Sequence, residues 1–153
     1  MKVYIGADHR GFNFKKGIIS ILEEMHYDVV DVGVHEKGKI CDYPKIGYKV
    51  AKAVSQDKDS RGILICLSGI GQTIIANKVR GAYAALCYNA RTAVLSRKHN
   101  NANVLVLSGR FGKKNELRNI IEKWMTTPFE GGRHKRRMQQ IKRFEQKECR
   151  ENQ

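Results

Sequence analysis

The sequence has 153 residues, 41% hydrophobic and 29% charged, with only 2 prolines, which suits one compact domain and excludes a fibre or a disordered chain. No run approaches the roughly 20 apolar residues of a membrane span, and the N-terminus reaches Asp8 and His9 too early for a secretory leader, so a cytoplasmic protein is expected. Its 29 Lys and Arg against 15 Asp and Glu leave a net charge of +14, which favours anionic partners: phosphorylated metabolites, acidic proteins or nucleic acid.

Apolar, β-branched runs alternate with amphipathic segments along the chain. Lys2 to Ala7 reads as a first strand, nearly continuous in apolar character, as in a strand covered on both faces. Phe14, Ile18, Ile21, Leu22 and Met25 then recur at helical spacing opposite Lys15, Lys16, Glu23 and Glu24, which predicts an amphipathic helix. Tyr27 to Val32 is a second strand. Asp42-Tyr43-Pro44 opens a second helix that runs to about Ser55, with proline in the first turn, where no amide is needed. Gly62 to Cys66 is a third strand, followed by a helix after Gly71. Ala82 to Cys87 is a fourth strand, and Asn89 is the expected N-cap of the helix behind it. Asn103 to Leu107 is a fifth strand, and a helix follows from about Lys114 to Met125. Pro128 and Gly131-Gly132 punctuate the chain before a last, basic helix at about 133–148, whose apolar stripe of Met138, Ile141 and Phe144 suits packing on a second subunit.

This β-α alternation predicts a Rossmann-like three-layer α/β/α sandwich with a five-stranded parallel sheet, the whole of 1–153 forming a single domain. Ligands of such sheets bind beyond the carboxyl ends of the strands. The first strand delivers Asp8 and His9 there, the Asp being either a helix cap or a reacting group. The third delivers Cys66-Leu67-Ser68-Gly69-Ile70-Gly71, a short glycine loop able to turn its amides onto a phosphate or an oxyanion, although it lacks the Walker and dinucleotide fingerprints. A thiol facing a helix start there is expected to have a lowered pKa, or else Cys66 is a small buried hydrophobe, as Cys87 is. His99 at the end of the fourth helix is either a proton-transfer group or a C-terminal cap. Arg110 follows the fifth strand, and Arg133 and Arg137, four apart, share one face of the last helix, where they can grip a phosphate or belong to a solvated or RNA-binding basic face. The cysteines at 41, 66, 87 and 149 show no CxxC spacing, and no His pair stands at zinc-ligand spacing, so reduced thiols and no metal are expected.

The segments GADHRGF, DYP, GILICLSGIGQTIIANKVRGAYAALC, LSRKHNNANVL, SGR and FEGGRHKRR together resemble the ribose-5-phosphate isomerase B family, in the wider group that contains the galactose-6-phosphate isomerase subunits; the similarity runs from about residue 1 to 145. The resemblance implies an aldose-ketose isomerase of the pentose phosphate pathway that interconverts ribose 5-phosphate and ribulose 5-phosphate through ring opening and an enediolate. It implies that Cys66 is the base, and that Leu67, Ser68, Gly69, Ile70 and Gly71 hold the enediolate oxygens. His99 and Asp8 would open the ring, and Asn100 would contact the sugar. His9, Arg110, Arg133 and Arg137 would bind phosphate or substrate, the last two by reaching across into a partner subunit's site. It further implies a homodimer or dimer of dimers, with no cofactor.

Leu67 departs from the glycine common in the family. If that position requires positive φ, the leucine costs on the order of 1–2 kcal/mol or shifts the loop; otherwise it occupies space over the sugar. A six-carbon substrate such as allose 6-phosphate or galactose 6-phosphate is the first alternative. A non-catalytic phosphate- or nucleic-acid-binding relative is the second, less favoured because Phe144 is the one aromatic in the basic helix.

Overall fold

The computed structural model describes residues 1–109 and 114–151, with residues 114, 115 and 149–151 described by backbone alone. Its elements are β1 (Lys2–Ala7), α1 (Phe12–Glu24), β2 (Asp28–Gly33), α2 (Tyr43–Gln56), β3 (Arg61–Cys66), α3 (Ile70–Ala76), β4 (Ala84–Leu86), α4 (Ala90–Asn100), β5 (Val104–Ser108), α5 (Lys114–Thr126) and α6 (Gly132–Glu151).

The expected elements all form, with two adjustments. The third helix starts at Ile70, ahead of Gly71, because Gly69 adopts φ 81° and turns the chain into it. The fourth strand shrinks to Ala84–Leu86. The Ala82 amide is taken by a turn to Val79 O, and the Tyr83 and Ala84 amides by the Asn103 and Asn77 side chains, so the ladder begins only at Ala84. Asn89 caps α4 as expected: its side chain accepts from the Thr92 amide, and the Thr92 hydroxyl accepts from the Asn89 amide in return.

The strands pair in parallel in the order β2-β1-β3-β5-β4. Alternation along each strand separates two cores. Val3, Ile5, Ile63, Ile65, Leu105 and Leu107 face α1, α4 and α5, whereas Leu64, Val104 and Val106 face α2 and α3. By the same alternation Cys66 projects on the α2/α3 side. The chain leaves β1 toward one edge of the sheet and returns at β3 toward the other, so the topological switch point, where such folds bind ligands, lies between β1 and β3.

The last helix crosses the amino-terminal edge of the sheet. Glu130 N donates to Lys98 O at 3.0 Å beside its start, and Tyr83, just before β4, donates its hydroxyl to Glu145 at 3.2 Å. A groove of about 460 Å³ runs beneath it, lined in part by Tyr83, Asn101, Phe129 and Met138. Among the described residues no helix is long and apolar enough to cross a membrane.

Candidate active site

Asp8 and Cys66 meet at the switch point. Residue 8 follows β1 and residue 66 ends β3, adjacent strands in register, and both side chains are buried. Asp8 Oδ1 accepts from the Arg10 and Gly11 amides at 3.1 and 3.0 Å, which fixes the turn into α1. Its other oxygen is left to face Cys66, whose Sγ donates to Oδ2 at 3.0 Å. Asp8 is thus both a turn-forming residue and a partner of the thiol. His9 stands next to it, half-buried, with Nδ1 free of any protein partner among the described residues.

The expected lowering of the Cys66 pKa is corrected by this arrangement. Burial raises it first, and the Asp8 carboxylate raises it further by accepting the thiol proton and by its charge. The Gly69 and Leu67 amides pull the other way without prevailing. The thiol is therefore held protonated against a carboxylate positioned to take its proton.

Above the thiol the chain turns through Leu67 to Gly71. Positive φ is adopted by Gly69, not Leu67, so the strain anticipated for the leucine is absent. Leu67 is half-buried, and its carbonyl accepts from the Ser108 hydroxyl at 2.8 Å. A Cβ on Gly69 would lie 2.5 Å from Leu86 Cδ1, and one on Gly71 2.6 Å from the Tyr43 ring. The loop is thus pressed between β4 and the start of α2. The Ser68 hydroxyl accepts from the Ile70 amide at 3.3 Å and stays half-exposed at the mouth, while the Ile70 side chain is exposed.

His99, Asn100, Arg133 and Arg137 gather elsewhere. His99 ends α4, and in a parallel sheet a helix ends at the edge where the next strand begins, here beside Val104 at the start of β5. Cys66 lies at the opposite end of β3, roughly 17 Å away along six residues. His99 and Asp8 therefore do not share a site within one chain. The α4 cap is Asn101, at φ 47°, so His99 is not the C-cap; its ring stacks on His134, centroids 4.1 Å apart and planes 7° apart. The Arg133 Nε donates to His134 Nε2 at 3.5 Å, and Arg133 and Arg137 both present exposed side chains on the first turns of α6. Lost hydration, with His99, Arg133 and Arg137, holds the His134 pKa below the ordinary imidazole value, against the pull of Glu130. Arg110 lies outside the described residues.

Three residues were not singled out from the sequence. His134 sits inside the EGGRH motif but reveals its role only when α6 folds over α4. Glu130 pairs with Lys98 at 3.4 Å, a contact between segments far apart in the chain. Gln72 is fully buried, and neither end of its amide meets a protein partner among the described residues. Cys87 is 2% exposed and fills the core, the small buried hydrophobe expected.

The arrangement at the switch point suits proton transfer at carbon: a thiol with an adjacent carboxylate, beside a turn whose Leu67 and Gly69 amides face the sulfur. The second cluster offers imidazoles and guanidinium groups suited to acid-base work and phosphate binding.

Residues 3–141 match the family model described as Ribose/Galactose Isomerase. The fold superimposes on ribose-5-phosphate isomerase B from Clostridium thermocellum with a TM-score of 0.92 and 43% identity, covering 96% of this chain and 99% of that one. It superimposes equally on the Mycoplasma genitalium enzyme with bound ribulose-5-phosphate, with a TM-score of 0.91 and 42% identity over 95% and 96% of the two chains. The Escherichia coli ribose-5-phosphate isomerase B is 38% identical over 146 residues, 95% of this chain and 97% of that protein.

Proposed function

Because the chain belongs to the ribose/galactose isomerase family, we propose that it interconverts ribose 5-phosphate and ribulose 5-phosphate, as a cytoplasmic homodimer with 1–153 as its single catalytic domain. The observation that carries this reading is the buried Cys66–Asp8 pair, 3.0 Å apart at the switch point under the Leu67–Gly71 loop.

In the open-chain aldose the Cys66 sulfur removes the proton from C2 as its own thiol proton passes to Asp8 Oδ2. The electrons move toward the C1 carbonyl and give an enediolate, whose charge the loop amides and the Ser68 hydroxyl offset. Cys66 then delivers the abstracted proton to C1 and recovers its own from Asp8, while the C2 hydroxyl proton passes to O1 and the C2 oxygen becomes the carbonyl of the ketose. His9 and Arg110 bind the phosphate end.

Ring opening needs an acid-base group near the sugar oxygen, and His99 serves. Since it lies at the edge opposite Cys66, it acts on the substrate held by the partner subunit, together with Asn100, Arg133 and Arg137. Each site is then built from two chains: the thiol edge of one and the α4/α6 edge of the other.

Incubation with ribose 5-phosphate in deuterated water, followed by NMR, tests the reading. Ribulose 5-phosphate should form with Cys66-dependent exchange of the transferred hydrogen, and Cys66→Ala should bind substrate without turnover. No product from the wild-type protein overturns the assignment.

A further inference from the structure

At the amino-terminal edge three potential donors from separate segments converge. His99 closes α4, Glu130 stands in the connection after α5, and His134 lies on the first turn of α6, yet one ligand atom of each falls within 4.8 Å of the others. We infer that His99, Glu130 and His134 form a site for one divalent transition-metal ion of the zinc class, and that its occupancy inhibits turnover by withdrawing His99.

Two imidazole nitrogens and one carboxylate oxygen are a donor set that zinc takes where a fourth position stays open. A tetrahedral ion with ligands about 2.0–2.1 Å away holds its donors roughly 3.3 Å apart, so side-chain rotation has about 1.5 Å or less to close. His134 Nε2 and Glu130 Oε1 already stand 3.9 Å apart, and the His99 ring lies directly against that of His134. His134 is buried and so held in place, whereas Glu130 is 47% exposed and free to adjust. The Arg133 contact marks His134 Nε2 as an unprotonated acceptor whose lone pair faces an exposed side chain that can turn away.

Three cations oppose the ion. Lys98 lies 3.4 Å from the second Glu130 oxygen, Arg133 occupies the His134 lone pair, and Arg137 adds positive field. They weaken the site, which fits reversible inhibition better than a permanent structural ion. The inhibition rests on the isomerase reading; the ion site itself does not.

Titration of the full chain with Co2+ tests the site. One equivalent should give ligand-field bands of a nitrogen- and oxygen-ligated ion without the sulfur-to-metal charge-transfer band that binding to a cysteine would add. Glu130→Gln and His134→Gln each remove a direct ligand and should weaken binding by more than the roughly 10–100-fold that loss of an outer partner costs, and Arg133→Ala should strengthen it. Glu130 is exposed, so its variant keeps the test valid should the His134 variant fail to fold. Absent bands, a thiolate band, or unchanged affinity in Glu130→Gln would overturn the site. In turnover assays Zn2+ should lower kcat for ribose 5-phosphate, reversibly with a chelator, and less so in Glu130→Gln. Binding without any effect on turnover overturns the inhibition, while metal-free protein inactive on ribose 5-phosphate sinks the isomerase reading and leaves the ion site standing.

Discussion

Cys66 works against its own surroundings. A base must lose its proton, yet burial and the Asp8 carboxylate both favour the thiol. The consequence is a definite pH dependence: the raised thiol keeps its proton through the neutral range and passes it to Asp8 within the pair, so kcat/KM should stay level there and change only in the alkaline range where the free enzyme forms thiolate. Asp8→Asn removes the negative charge and keeps an oxygen to accept from the Arg10 and Gly11 amides, so the turn survives. The thiol pKa should fall, toward the alkaline value that burial alone sets, and thiolate absorbance measured against Cys66→Ala should appear at lower pH. An unmoved titration would mean that the carboxylate is not felt at the sulfur. Leu67 gives a second residue-scale test. The structure puts it outside the positive-φ region, so Leu67→Gly relieves no strain and only adds freedom to the unfolded chain. Urea unfolding should show a loss of roughly 0.5–1 kcal/mol, where a strained leucine would give a gain. If its side chain lines the sugar pocket, the same variant should also shift the ratio of five- to six-carbon turnover.

The three residues Leu67–Gly69 between β3 and α3 are held by packing as well as by hydrogen bonds to the Leu67 and Gly69 carbonyls. Gly69 at φ 81°, with Leu86 against the place a Cβ would occupy, couples the loop to edge strand β4. Gly69→Ala should therefore destabilise the protein by on the order of 1–2 kcal/mol and lower kcat more than it raises KM, because the loop amides meet the enediolate and not the ground-state sugar. Calorimetry and steady-state kinetics read the two effects separately, and an unchanged kcat would remove the loop from the chemistry. The elements themselves were legible because local signals agreed: Pro44 in the first turn of α2, the Asn89–Thr92 capping box, and continuous apolar runs in β1, β3 and β5. The start of β4 was not, since the side chains of Asn77 and Asn103, on either side of it in the chain, take the amides that its pattern assigned to the ladder. The order of strands was equally hidden. Alternation places a residue on a face, but only the folded order reveals that β1 and β3 are neighbours and that Asp8 and Cys66 meet there.

At the scale of the whole molecule, the sheet separates the residues assigned to the proposed chemistry. Asp8, His9, Cys66 and the glycine loop stand at its carboxyl edge, while His99, Asn100, Arg133 and Arg137 stand at its amino edge, the length of β3 away. Motif order alone does not show this division, which follows once Cys66 is placed at the end of a strand and His99 at the end of a helix of one parallel sheet. One chain folded in this way cannot bring His99 to a sugar above Cys66, so the proposed reaction requires a paired copy. Complementation gives that statement a number. Cys66→Ala homodimers and His99→Asn homodimers should each be nearly inactive on the cyclic substrate. Unfolded and refolded together in equal amounts, half of the dimers carry one subunit of each kind, and in these the intact thiol edge of one chain faces the intact His99 edge of the other at one of two sites. Activity should return to about 25% of the wild-type value, as expected for two-fold pairing with shared sites. If each site came from a single chain, every site in the mixture would carry one of the two lesions, and no activity would return.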